Sequence, residues 1–238
     1  MDKEIKSIKK NNTWELTELL QGHKTIGVKW VFKSSSTRQT KLNEKGEIHK
    51  HKARLVAKGY KQEYGVDYTE VLAPVAWHDT IRLVISMEAQ NSWPIFQLDV
   101  KSAFLHGELQ EQVYVEQPAC YVQPGKEKQV YRLKKALYGL KQAPRAWYSH
   151  MEAYFAREGF QKCPYEHPLF TKSGEEGQIL IVCLYVDDLI YTGNDVAMFN
   201  DFKKSMMHEF DMSDLGLMHY FLGIEVVQSS AGISISQK

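Results

Sequence analysis

Two adjacent aspartates, Asp187 and Asp188, stand between apolar runs at residues 178–186 and 189–192. Short runs rich in Ile, Val and Leu predict strands, so the acids fall at the turn of a hairpin. Neighbouring carboxylates repel, and a site that keeps both ionised needs cations beside them. Carboxylate oxygens are the hard ligands Mg²⁺ prefers. A third acid, Asp99, closes the apolar stretch 95–100 just before a predicted short helix. If these strands are neighbours in one sheet, three carboxylates converge at its edge. They could then hold two Mg²⁺ ions about 3.5–4 Å apart, clamping the attacking and leaving oxygens of a phosphoryl transfer. The plain alternatives are a solvated Asp-Asp turn and, for Asp99, a helix cap.

The elements that must position these acids are legible in outline. Residues 26–33 predict a strand, 51–58 a strand pairing back on it, and 34–50 the polar hairpin loop between them. Residues 80–90 carry apolar side chains at helical spacing (Ile81, Val84, Ile85), with Glu88 outward and Asp79 or Thr80 as N-cap. A strand at 95–100 is followed by a short helix at 102–109. Pro144 opens a helix whose apolar face is Trp147, Met151, Tyr154 and Phe155, ending at Gly159. A helix over 196–210 is capped by Asn194 or Asp195, and 220–227 reads as a strand containing Gly223. Strand, helix, paired strands and helix again make a split βαβ arrangement: an α+β fold with an antiparallel sheet and helices on one face.

Composition bounds the function. A chain of 238 residues, 43% hydrophobic and 25% charged, builds one large domain or two lobes. No apolar run spans a membrane, and no secretory signal opens the chain. Cys120, Cys163 and Cys183 lack metal-site spacing and read as buried reduced thiols. Net charge is only +1, yet residues 1–64 carry 15 Lys+Arg against 7 acids, while the rest carries 15 against 22. A basic quarter before an acidic body suits a protein that grips phosphates with one part and metal ions with another; a solvated basic hairpin would look the same.

Five blocks, in order, resemble the reverse-transcriptase domain of copia-type (Pseudoviridae-like) LTR retrotransposon Pol polyproteins. Tyr185-Val186-Asp187-Asp188 is similar to the YxDD box, in its YVDD form. Leu98-Asp99-Val100-Lys101-Ser102-Ala103-Phe104-Leu105-His106-Gly107 resembles the first catalytic box. Leu137-Tyr138-Gly139-Leu140-Lys141-Gln142-Ala143-Pro144-Arg145 resembles the third block, and Tyr220-Phe221-Leu222-Gly223-Ile224-Glu225 the block that holds the primer end. Lys52-Ala53-Arg54-Leu55-Val56-Ala57-Lys58-Gly59 matches the fingers strand.

The resemblance implies a right-hand fold, with fingers at 1–75 and 109–143 and palm at 76–108 and 144–238. Its activity would be RNA-directed DNA polymerisation: deoxynucleotides added to a primer 3′-hydroxyl on an RNA or DNA template. Catalytic and metal-holding residues would be Asp99, Asp187 and Asp188, with the Val100 backbone adding a ligand to two Mg²⁺ ions (Mn²⁺ as substitute). Lys33, Lys52, Arg54, Phe104, Tyr138, Gly139 and Gln142 would bind the deoxynucleoside triphosphate, with Phe104 as steric gate against a 2′-hydroxyl. Tyr185, Phe221, Leu222 and Gly223 would meet primer and template. For Phe104 and Tyr185 the ordinary alternative is core packing, and for the lysines a solvated face. Family members work beside integrase and RNase H, in cytoplasmic virus-like particles. Here no RNase H, integrase or protease domain is expected within the chain. Departures from the family pattern are an insertion near 34–39, Trp77 where a basic residue is usual, Ala119-Cys120 in place of a Gly-containing pair, and Leu217 and His219 where Lys or Arg is usual. They keep open a second reading, an inactive, truncated retroelement remnant that folds and at most binds nucleic acid.

Overall fold

The apolar periodicities resolve into four α-helices and four sheets among the described residues, in a computed structural model that describes residues 1–34, 51–229 and 232–237. In chain order the elements are α1 (Asp2–Lys10), β1 (Trp14–Thr17), β2 (Thr25–Ile26), β3 (Val28–Ser34), β4 (His51–Ala57), α2 (His78–Asn91) and β5 (Phe96–Val100). Then come β6 (Glu108–Val115), β7 (Val130–Lys135), α3 (Ala143–Arg157), β8 (Gln161–Lys162), β9 (Leu169–Ser173), β10 (Ile179–Tyr185) and β11 (Asp188–Gly193). The last are α4 (Val196–Glu209), β12 (Met212–Leu217), β13 (Tyr220–Phe221), β14 (Ile224–Ser229) and β15 (Gly232–Gln237). No helix among the described residues is long and apolar enough to cross a membrane.

The chain divides into two compact units, Met1–Leu72 with Phe104–Trp147, and Ala73–Ala103 with Tyr148–Lys238. In the first, a four-stranded sheet of order β1-β7-β6-β2 accompanies the antiparallel hairpin β3–β4. Helix α1 buries Ile5 and Ile8. It carries Asp2 and Glu4 in its first turn and Lys9 and Lys10 in its last, the order the helix dipole favours. Leu55, Leu105, Val113, Val115 and Leu137 are fully buried at the centre of this unit, and each such side chain contributes about 1.5–3 kcal/mol. The loop after β7 locks onto β4, with the Ala57 N–H donating to the Tyr138 carbonyl at 2.7 Å.

The second unit is built on an antiparallel sheet of order β12-β5-β11-β10-β9-β8. Alternation along its strands gives it two apolar faces. On one, Tyr191 packs edge-on against Phe199 and Phe202 of α4, and Phe155 of α3 against Phe170 of β9. On the other, Cys183 and Ile190 join Ile81, Val84 and Ile85 of α2 and Phe221, Ile224 and Val226 of the three-stranded sheet β13-β14-β15. The expectation of helices on one face is therefore corrected: α2 covers the face opposite α4.

Five further expectations change. The helix at 80–90 begins earlier, at His78, with neither Asp79 nor Thr80 as cap; Trp77 holds that position without a side-chain cap bond. Glu88 faces inward and is fully buried, because the Thr192 hydroxyl of β11 donates to its carboxyl group. The helix at 102–109 is a single 3₁₀ turn, Ala103–His106, after which β6 begins. Ser102 at φ 57° and Gly107 bound it, and a Cβ on Gly107 would lie 2.5 Å from the Trp147 backbone nitrogen. The strand at 220–227 is a hairpin turned at Leu222 and Gly223, whose φ of 48° and 86° make the tight turn that suits twisted strands. Of the cysteines only Cys183 is buried; Cys163 is partly exposed and Cys120 exposed. Other helix boundaries stand: α3 buries Trp147, Met151, Tyr154 and Phe155, and Asp195 caps α4 by accepting from the Met198 N–H at 2.7 Å.

Candidate active site

The continuous burial of β10 and β11 makes a rigid hairpin with the acids at its tip. Tyr185 pairs with Asp188, so Val186 and Asp187 are the two-residue turn and Asp188 is the first residue of β11. Val186 sits at φ 54°, a conformation unfavourable for a β-branched side chain, in a position of the turn that usually carries glycine. Such strain costs about 1–3 kcal/mol and persists only where the surroundings enforce it. Here the enforcement is a six-residue register, Leu180↔Gly193 through Tyr185↔Asp188.

Asp99 lies directly opposite Asp188 on the neighbouring strand β5. Side chains at such positions share one face, with Cβ atoms about 5 Å apart. Asp187 is drawn to the same end, its carbonyl accepting from the Val100 N–H at 2.7 Å. Asp99, Asp187 and Asp188 therefore lie at one end of the paired strands, near enough for the charges of the first two to act on the third. Burial, then the charges of Asp187 and Asp99, push the Asp188 carboxyl up to about 6. The Gln97 amide, two residues before Asp99 on the same face, donates to Asp188 at 3.4 Å and partly offsets this. Among the described residues no three His, Cys, Asp or Glu groups form a ready-made metal cage. Even so, the donor set fits a divalent cation: all-oxygen, mutually repelling, and relieved by positive charge.

In the first unit, Arg54, Tyr138 and Phe104 come together. The Arg54 guanidinium lies 4.3 Å from the centre of the Tyr138 ring, and the Phe104 ring 5.1 Å from it. Gly139 (φ 88°) serves the fold: a Cβ there would fall 2.3 Å from the Ala57 carbonyl oxygen. Gln142 is fully buried, accepting from Gln62 at 2.9 Å and donating to the Asp67 carbonyl at 2.9 Å, so the structure places it inside rather than facing a nucleotide. Lys33 and Lys52 are opposite one another in β3 and β4. The insertion near 34–39 lies outside the described residues beyond Ser34.

In the second unit, Phe221 is buried and meets the half-buried Tyr185 edge-on at 6.5 Å, so it belongs to the core. Leu222 and Gly223 form the hairpin tip, where the Leu222 carbonyl is 3.3 Å from His78 Nε2. Sequence reasoning missed Gln97 and Gln62. Gln97 had a signal, the period of two that places it beside Asp99. Gln62 had none, since its partners lie about 80 residues away.

The fold defines a mixed α/β class, with three acids gathered at one end of a largely buried antiparallel sheet. Residues 11–238 match the family described as reverse transcriptase (RNA-dependent DNA polymerase), and the chain belongs to that family. It is 39% identical, over 100% of its length, to the retrovirus-related Pol polyprotein from transposon RE1 of Arabidopsis thaliana. It is 40% identical over 100% to that from transposon RE2 of the same plant, and 38% over 96% to that from transposon TNT 1-94 of Nicotiana tabacum. These are copia-type elements, as the sequence blocks indicated. The chain spans 16–17% of the length of these polyproteins.

Proposed function

We propose that this chain is the fingers and palm of a reverse transcriptase, the first unit serving as fingers and the second as palm. It extends a primer 3′-hydroxyl with deoxynucleotides on an RNA or DNA template, as part of a retrotransposon polyprotein. The observation that carries this reading is the direct opposition of Asp99 and Asp188 beside a turn containing Asp187, in a chain of this family. Asp99, Asp187 and Asp188, with the Val100 backbone at the same end, would hold two Mg²⁺ ions. When bound, these supply activation of the primer hydroxyl and neutralisation of the triphosphate.

The protein's own part is position and charge. Rigid strands keep the carboxylates converged, and Gln97 steadies the ionised form of Asp188. Arg54 offers a planar, bidentate contact to phosphate, held in place by Tyr138. Phe104, braced on the same tyrosine, closes the space beneath the sugar. Lys33 and Lys52 add point charges. Leu222 and Gly223 present backbone to the primer, and Tyr185 packs behind its end.

The test is Mg²⁺-dependent extension of a DNA primer on an RNA template by the wild-type chain and by Asp187→Asn. Extension that disappears in the variant supports the reading. Extension that survives removes the metal assignment. A folded wild type that yields no product makes the chain an inactive remnant.

A further inference from the structure

Trp77 stands where α2 begins, and its carbonyl accepts from the Ile81 N–H at 3.2 Å, but its side chain does nothing for the helix. It holds the N-cap position without capping the first turn, and it is 73% exposed. Ser, Thr, Asp or Asn would stabilise that position, and a core would bury the indole. Tyr165, 95% exposed, lines the same open cleft of about 370 Å³, together with Pro74, His167 and Pro168. Two large rings held in water leave unused the apolar area that makes aromatics strong contacts.

One hydrogen bond ties this cleft to the carboxylate hairpin, and another ties its rim to the β13–β14 hairpin. The Pro168 carbonyl accepts from the Leu184 N–H at 2.9 Å, one residue before Tyr185. His78, next to Trp77, meets the Leu222 carbonyl at the tip of the β13–β14 hairpin. The connection that carries Tyr165 is thus fixed to β10, the strand that leads into Val186 and Asp187.

The cleft's chemistry selects its occupant. Its lining carries the acid Glu166 and no lysine or arginine, so it repels a phosphate rather than gripping one. Flat aromatic and proline faces accept a planar, uncharged group, and a nucleobase has such a face only when it is unpaired. We infer that Trp77 and Tyr165 stack on an unpaired base of the template strand, anchoring single-stranded template beside the catalytic hairpin. This rests on the reverse-transcriptase reading for its substrate class.

The experiment measures binding apart from catalysis. Fluorescence anisotropy follows a labelled DNA primer annealed to RNA, either with a 5′ template overhang or blunt-ended, without nucleotides. Trp77→Ala and Tyr165→Ala weaken binding of the overhang substrate about ten-fold, the effect of losing one base–aromatic stack. Trp77→Phe restores most of it, and blunt duplex binds all variants alike. Unchanged affinity of Trp77→Ala for the overhang substrate overturns the inference, as does an equal loss on both substrates. Wild type that binds the overhang through Trp77 but extends nothing defeats the polymerase reading and leaves the stacking site standing. Wild type that extends primers while Trp77→Ala binds normally does the reverse. Wild type that binds neither substrate defeats both.

Discussion

Replacing Glu88 with glutamine will flatten the pH dependence of stability. The carboxyl group is fully buried on α2, receives the Thr192 hydroxyl on one oxygen and has no partner on the other. Burial pushes it up to about 8 from an ordinary 4.5, against the smaller, lowering effect of the Thr192 bond. Below pH 4.5 both folded and unfolded chains hold the proton, and Glu88 adds no pH dependence. Between 4.5 and 8 the unfolded chain releases it while the folded chain keeps it, so stability falls as pH rises. Above 8 both have lost it and the contribution levels off. Each pH unit in the window is worth about 1.4 kcal/mol, so roughly 3 kcal/mol separates pH 5 from pH 7.5. Glutamine does not titrate. Its amide leaves one buried donor without a partner, a constant penalty of about 1–3 kcal/mol. Urea unfolding at pH 5, 6, 7 and 8 will therefore give curves for wild type and Glu88→Gln that converge or cross as pH rises. Parallel curves, separated by the same free energy at every pH, would refute the reasoning and mean that Glu88 is charged in the folded protein.

Asp188→Asn removes a carboxyl held up to about 6 by burial and by two like charges. Discounted for its partial exposure, this stabilises the metal-free fold at pH 8 by about 1 kcal/mol while abolishing extension, as thermal melts and the primer assay will show. Gly139→Ala puts a methyl group 2.3 Å from the Ala57 carbonyl oxygen at a left-handed φ and costs more than about 2 kcal/mol, read in the urea midpoint. Phe104→Ala admits ribonucleoside triphosphates in single-nucleotide addition. Discrimination as strong as in wild type would assign that ring to packing against Tyr138 alone.

The parts legible in the sequence were those that local patterns decide. Continuous apolar runs on either side of Asp187-Asp188 sufficed for a hairpin, because strands covered on both faces need no alternation. The opposition of Asp99 and Asp188 could be stated only conditionally, since strand pairing is decided across some 90 residues of intervening chain. Glu88 shows where composition misleads. Its spacing from Ile81, Val84 and Ile85 already placed it on the inner stripe, but its charge argued outward, and a distant threonine settled the matter. Gln142 and Phe221 stand in functional blocks yet serve the interior, since residues that shape a site from behind leave the same sequence mark as those that touch a ligand. Trp77 stood out in the sequence only as a departure from pattern. Its cleft could not be foreseen, because Tyr165 comes from a connection with no periodicity of its own.

The paired strands β5 and β11 also limit how this site can change. Their side chains alternate, so Leu98 and Leu189 point into one layer and Asp99 and Asp188 into the other. Displacement along the ladder is consequently quantised. No half-step exists, and a one-residue slip of β11 along β5 would send Asp188 among the aromatics against α4 and Leu189 to the face that holds Asp99. Insertions and deletions within these strands are all-or-nothing events, whereas changes in side-chain length remain gradual.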